Sequence, residues 1–206
     1  MTLDEYIRHN ILPRYDAFDA AHQRPHVESV ISRAMQLAKH YPNVRPDMVL
    51  AAAAYHDLGL SEGREHHHLA SGRIVRSDTQ LREWFTADEI GQIAQAAEDH
   101  RASSPAPPRS LLGCIIAEAD RQIDVTTVLR RCLQYGLAHY PQLPPERQIP
   151  RAREHLTEKY GEGGYLHLLL PDSPNAEPLR ELRELLRQPQ RLEAMLAGVL
   201  EELTRG

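Results

Sequence analysis

The chain has little of what marks several whole classes of protein. Only two of its 206 residues are cysteine, Cys114 and Cys132, each in an apolar helical context. That is too few for a disulfide scaffold, and reduced thiols in a cytosolic protein are expected. Basic charge is not in excess either: 24 Lys and Arg stand against 29 Asp and Glu, a formal charge of −5. Proteins that coat nucleic acid or lie on a membrane surface carry a basic stripe, so neither partner is expected. No apolar run approaches the roughly 18 residues that a membrane span needs. The start, Met1-Thr-Leu-Asp-Glu-Tyr6, has neither a basic leader nor an apolar core, so a signal peptide is not read there and a cytoplasmic location is expected. Strand-like alternation of any length, internal repeats and low-complexity tracts are missing too.

What the sequence does have is helical periodicity and 12 histidines. Residues 2–18 read as a helix interrupted near Pro13, and residues 23–38 as a second with Pro25 in its first turn. Residues 47–58 form a third helix. Its alanines, Ala51 to Ala54, let neighbours come close, so it is placed at the centre, ending at Gly59. A shorter helix follows around residues 69–75. Thr86 is an N-cap with Glu89 in the capping-box position, opening a helix that runs to His100. Residues 103–108 are a stiff proline-rich loop. An apolar helix at 111–124 continues or kinks into 125–139. Residues 151–160 and 177–205 are helical, with a turn at 161–164 and an apolar stretch, read as at most one short strand, near Tyr165. The fold class is all-α. A proline-rich break at 141–150 separates a helical core, 1–140, from a C-terminal helical extension, 141–206, packed on it in one compact domain. Leucines between 179 and 200 either close the core or form a homodimer face.

Chemistry is suggested at three places. His56 and Asp57 follow the alanine run into what reads as a last helical turn, where ionisable groups must be paired or bound to a metal. Asp120 lies on the face of a strongly apolar helix together with Ile116, Ala117, Ile123 and Asp124, and needs a cation nearby. That cation is a metal ion or an arginine such as Arg121 or Arg33. His26 sits at the edge of the buried stripe of its helix, as a ligand or as a hydrogen-bonded core residue.

Taken in order, His26, His56-Asp57 and Asp120 resemble the metal-binding signature of the HD-domain superfamily of all-helical, metal-dependent phosphohydrolases, over residues 20–135. The resemblance implies that His26, His56, Asp57 and Asp120 hold a divalent ion. It also implies roles for His68, in the pattern His68-Leu-Ala-Ser71-Gly72, and for His100 followed by Arg101. In two-metal members such histidines help hold a second ion, and in single-metal members they face a substrate phosphate. Arg101 stands where some two-metal members have a second histidine, so one ion is expected rather than two. His66 and His67 read as a solvated helix entrance. Mixed nitrogen and oxygen ligands suit Mn²⁺, Fe²⁺, Co²⁺, Ni²⁺, Zn²⁺ or Mg²⁺ rather than Ca²⁺.

The expected activity is hydrolysis of a small phosphate ester or nucleotide-like substrate by metal-activated water, with Asp57 and Asp120 able to take a proton and His68, His100 and Arg101 stabilising negative charge. Two alternatives stand beside it: a di-iron HD-domain oxygenase, and a non-catalytic ligand-binding protein whose metal is structural.

Overall fold

The computed structural model describes residues 1–19, 22–104 and 106–205. Among them all regular secondary structure is helical, with no strand. The stretch near Tyr165 is irregular, so the one short strand considered there does not form. Pro105, part of the expected stiff loop, lies outside the described residues. No helix among the described residues is long and apolar enough to cross a membrane.

Contacts divide the chain into two compact units. One is Met1–Arg121 with Leu169–Ser173, and the other is Gln122–Leu168 with the residues from Pro174 onward. The division thus falls at the end of the helix carrying Asp120, not at 140/141 where the prolines pointed.

In the first unit, α1 (Leu3–Tyr6) is opened by a capping box between Thr2 and Glu5. The expected single N-terminal helix is three pieces, because a π turn (Ile7–Ile11) and a 3₁₀ turn (Leu12–Ala17) follow. Pro13 lacks the amide that regular helix needs. Leu3, Ile7, Ile11, Leu12 and Tyr15 of this segment are buried. Helix α2 (Arg24–Ala38) has Pro25 in its first turn and buries Val27, Val30 and Ala34. Helix α3 (Pro46–Tyr55) is central: Ala51 to Ala54 are fully buried. It packs against α2, α4 (His67–Ser77), α5 (Ala87–Asp99) and α6 (Leu111–Asp120). The Thr86–Glu89 capping box opens α5 as the sequence predicts. Burying Ile93, Ile115 and Ile116 contributes about 1.5–3 kcal/mol each relative to exposure.

Helix α3 stops three residues short of Leu58. His56 is its C-cap, Asp57 leaves helical geometry at φ −109°, ψ 3°, and a 3₁₀ turn (Leu58–Glu62) follows. Gly59 is not a left-handed cap. It is where this turn passes the start of α4, and a Cβ there would lie 2.0 Å from the His67 carbonyl oxygen and 2.5 Å from the Ser71 nitrogen. The Gly59 amide donates to the Ser71 hydroxyl at 2.9 Å, fastening the two together.

Helix α6 ends at Asp120, so Ile123 and Asp124 do not share a helical face with it. Asp124 instead caps the next helix by accepting the Thr127 amide, a local bond that competes with helix continuation. Beyond it, Leu169–Ser173 belongs to the first unit through the wholly buried Glu118, which accepts from the Leu169 amide at 2.8 Å and from the Ser173 hydroxyl. Arg121 approaches the same carboxylate at 3.4 Å.

The second unit packs α7 (Val125–His139), α8 (Pro145–Tyr160), α9 (Ala176–Leu186) and α10 (Pro189–Arg205) around Leu129, Leu133, Leu156, Leu182, Leu192 and Leu196. Helix α8 begins at Pro145 and continues through Pro150, where a break was expected. Burial of Gln148, Ala152 and Leu156 along one face holds it helical, tertiary packing outweighing the lost backbone bond. Cys114 is half-buried and Cys132 buried, both as free thiols.

Candidate metal centre

Four helices of the first unit direct side chains at one carboxylate, that of Asp57. Its Oδ2 lies 3.5 Å from His26 Nε2 on α2 and 3.3 Å from His56 Nε2 at the end of α3. Oδ1 of Asp120, at the end of α6, lies 3.3 and 3.8 Å from the same two nitrogens. On the other side, Asp57 Oδ1 lies 3.4 Å from His67 Nε2 at the start of α4 and 3.3 Å from His100 Nε2 just past α5. These last two nitrogens are 3.2 Å apart. Two groups, His26–His56–Asp57 and Asp57–His67–His100, therefore meet in a single shared carboxylate.

The backbone sets the rings. His56, His67 and His100 each turn Nδ1 onto the carbonyl three residues earlier: Ala53 at 2.7 Å, Arg64 at 2.8 Å and Ala97 at 2.7 Å. With Nδ1–H donating there, the Nε2 lone pair faces the carboxylates, the arrangement that orients imidazoles as metal ligands. The α-helix gives way at or just before two of these residues, freeing the ring to fold back on its own last turn.

These residues fit a divalent ion. The Nε2 atoms of His26 and His56 are buried and lack a hydrogen-bond partner, a costly state for a polar atom that a bound cation relieves. Neighbouring ligands at about 2.1 Å from one ion are about 3.0–3.4 Å from each other in octahedral or tetrahedral geometry. Most of the nitrogen–oxygen separations here fall in or just above that range.

Electrostatics on the two sides differ. Burial opposes charge on Asp57, yet His56, His100 and His26 hold its carboxyl well below the usual range. Burial likewise opposes charge on Asp120, and His26 and His56 overcome it. Burial pulls His26 down, but Asp120 and Asp57 push it up to about 9. His67 goes the other way: burial and the neighbouring His100 lower it to about 4. Burial lowers His100, and Asp57 reverses the direction to a net rise.

The structure thus brings His26, His56, Asp57, Asp120 and His100 together. Asp120 meets imidazoles, while Arg33 donates to the Ala119 carbonyl and Arg121 pairs with Glu118. Of the three consecutive histidines it is His67, read from sequence as solvated, that reaches Asp57. His68 stacks edgewise on His67 with ring centroids 5.7 Å apart and, among the described residues, pairs with neither carboxylate. The reason is register. His67 lies one turn before the buried Ser71 that fastens Gly59, so the face that packs on the 3₁₀ turn carries position 67. That spacing was the available signal. Arg101 donates to the Glu65 carbonyl at 2.9 Å, so its guanidinium braces the turn that presents His67. Asp120, with 27% of its side chain exposed, and His67, with 14%, are the members open to solvent, whereas His56 is wholly enclosed.

Among curated proteins none matches this chain. A solved structure of a predicted HD superfamily hydrolase from an uncultured Thermotogales bacterium is similar at 22% identity, covering 59% of this chain and 73% of that one, with a TM-score of 0.47. The family model described as HD domain matches residues 25–122. That span holds His26, His56, Asp57, His67, His100 and Asp120, and over it the chain matches the HD domain.

Proposed function

We propose that the protein is a metal-dependent phosphohydrolase acting on a small phosphate ester or nucleotide-like substrate. The observation that carries this reading is the Asp57 carboxylate, which turns one oxygen to each of two histidine pairs whose Nε2 atoms carry no proton-sharing backbone partner. His26, His56, Asp57 and Asp120 would hold one divalent ion, and Asp57, His67 and His100 a second. This extends the single ion read from sequence: His67 supplies the imidazole that Arg101 had left wanting. A cation bound there lowers the pKa of its water and polarises a phosphoryl oxygen.

The chain's own groups divide the remaining work. Asp120, the most exposed member, is placed to accept a proton at the solvent side. Asp57 is enclosed and paired on both oxygens, so its role is to hold. Arg101 keeps N–H groups beyond the one given to Glu65, and with His68 it lies beside the His67 face, where negative charge on a phosphate would be met.

The test is phosphate release from a panel of phosphomonoesters and nucleotides with Mn²⁺, Co²⁺, Ni²⁺, Zn²⁺, Mg²⁺ and anaerobic Fe²⁺. Turnover with at least one pair, abolished by Asp57→Ala, is expected. No turnover with any pair removes the hydrolase reading. The two-sided Asp57 also favours a second reading, a di-iron oxygenase. Oxygen consumption by the iron-loaded protein, with a mixed-valence electron paramagnetic resonance signal, would select it.

A further inference from the structure

The end of α3 contains a substitution of one hydrogen-bonding group for another. In a continued α-helix the carbonyls of Ala53 and Ala54 would accept the amides of Asp57 and Leu58. Here the Ala53 carbonyl accepts His56 Nδ1–H at 2.7 Å. The Ala54 carbonyl accepts the hydroxyl of Tyr15 at 2.8 Å, and the Asp57 amide donates to that same hydroxyl oxygen at 3.4 Å. Tyr15 comes from the 3₁₀ turn 39 positions before Ala54, is wholly buried, and packs edge-on against Phe18 with ring centroids 5.3 Å apart. It lies outside residues 25–122.

A single phenol thus closes the backbone that His56 has opened. It satisfies one buried carbonyl and one buried amide, each of which is costly when left unpaired. Its position also decides where the Asp57 backbone stands as it leaves the helix. Asp57 must present its two oxygens to rings on four different segments, so a small rotation of that peptide spoils both sides together.

We propose that Tyr15 is a positioning residue for the metal centre: its hydroxyl stands in for the next helical turn of α3 and fixes Asp57 between the two histidine pairs. This rests on the metal-binding reading above. It makes the N-terminal segment part of the site's construction, although that segment supplies no ligand.

The experiment loads purified full-length protein with Co²⁺ and follows affinity and d–d absorption, neither of which needs a substrate. Tyr15→Phe keeps the ring and removes the hydroxyl. About 10- to 100-fold weaker Co²⁺ binding is expected, the usual loss for an outer-shell partner, with shifted visible bands. Phe18→Leu perturbs packing of the same turn and spares the hydroxyl. It should lower the unfolding temperature and leave the cobalt spectrum and affinity as in the wild type. Equal cobalt behaviour of Tyr15→Phe and wild type overturns the proposal, and so does Phe18→Leu matching Tyr15→Phe. Should Tyr15→Phe fail to fold, 4-aminophenylalanine at position 15 keeps a hydrogen-bonding group: a wild-type cobalt spectrum supports the role and an altered one overturns it. Absence of any cobalt spectrum in the wild type is a different result, because it removes the metal centre itself.

Discussion

The two sides of Asp57 are built from the same parts, yet one histidine of each, His26 and His67, is tuned in the opposite direction. Toward His26 and His56 a second carboxylate, Asp120, joins the first, and the surplus negative charge lifts His26 to about 9. Toward His67 and His100 no second carboxylate lies among the described residues, and burial together with the His100 ring, its nitrogen 3.2 Å away, lowers His67 to about 4. Carboxylate count contributes to the difference: one Asp57 oxygen and Asp120 stand beside two imidazoles on one side, and one Asp57 oxygen alone stands beside two on the other. On the reading proposed above, an ion on the first side would have four ligands, His26, His56, Asp57 and Asp120. On the second side it would have three, Asp57, His67 and His100. By ligand count the first side would then be the tighter site and the second the more exchangeable one.

The largest effect should come from removing what both sides share. Asp57→Ala is expected to bring metal content to background and abolish turnover, with elemental analysis of the purified protein as the check. Metal retained at the wild-type level would show that the shared carboxylate is not the hub. Next in size is His67→Ala, expected to halve the metal stoichiometry from two to one and lower turnover about 10- to 100-fold, while His68→Ala leaves stoichiometry unchanged. A loss in the His68 variant and not in the His67 variant would reverse the assignment.

Smaller still is Gly59→Ala, which drives a methyl into the His67 carbonyl and costs about 1–3 kcal/mol of stability or more. It should weaken the His67 side selectively, seen as loss of the second equivalent in a cobalt titration with the first preserved. The mildest prediction concerns pH. The fold raises His26 from 6.5 to about 9, so its stabilisation of the metal-free protein is whole below pH 6.5 and fades as pH rises through 9. His67, lowered to about 4, acts in the opposite window: the fold disfavours its proton, and stability is lost as pH falls from 6.5 toward 4. Melting curves of metal-free protein should therefore decline between pH 7 and 9.5, and His26→Gln should flatten that decline. A slope unchanged in the variant would place the titration elsewhere.

How much of this was legible beforehand varies from residue to residue for physical reasons. His56 and Asp57 could be read because an alanine run announces a buried helix end, and Asp120 because a carboxylate among Ile116 and Ala117 has to be compensated. His67 was hidden because three consecutive histidines contain no phase of their own. Only the packing of Ser71 on Gly59 shows which of them faces inward. The stop at Asp120 was equally hard to see: no glycine or proline marks it, and the competing signal is one N-cap, Asp124 with Thr127. Prolines misled in the other direction, since Pro150 sits inside α8 while the units part at Arg121 and Gln122. Tyr15 carries no sequence signal at all, because its hydroxyl meets a backbone gap that exists only once α3 has ended early.

Glu118 has a consequence for how the protein comes into being. Its buried carboxylate is matched by the Leu169 amide and the Ser173 hydroxyl, supplied some fifty residues downstream. On a ribosome the metal-binding unit would emerge with an acid in its interior still awaiting those groups, and could not settle until residue 173 had cleared the exit tunnel. A fragment trimmed to residues 25–122 would keep Arg121 beside that acid but lose the Leu169 amide, the Ser173 hydroxyl and Tyr15, so the stretch that matches the family is shorter than the stretch that builds this unit.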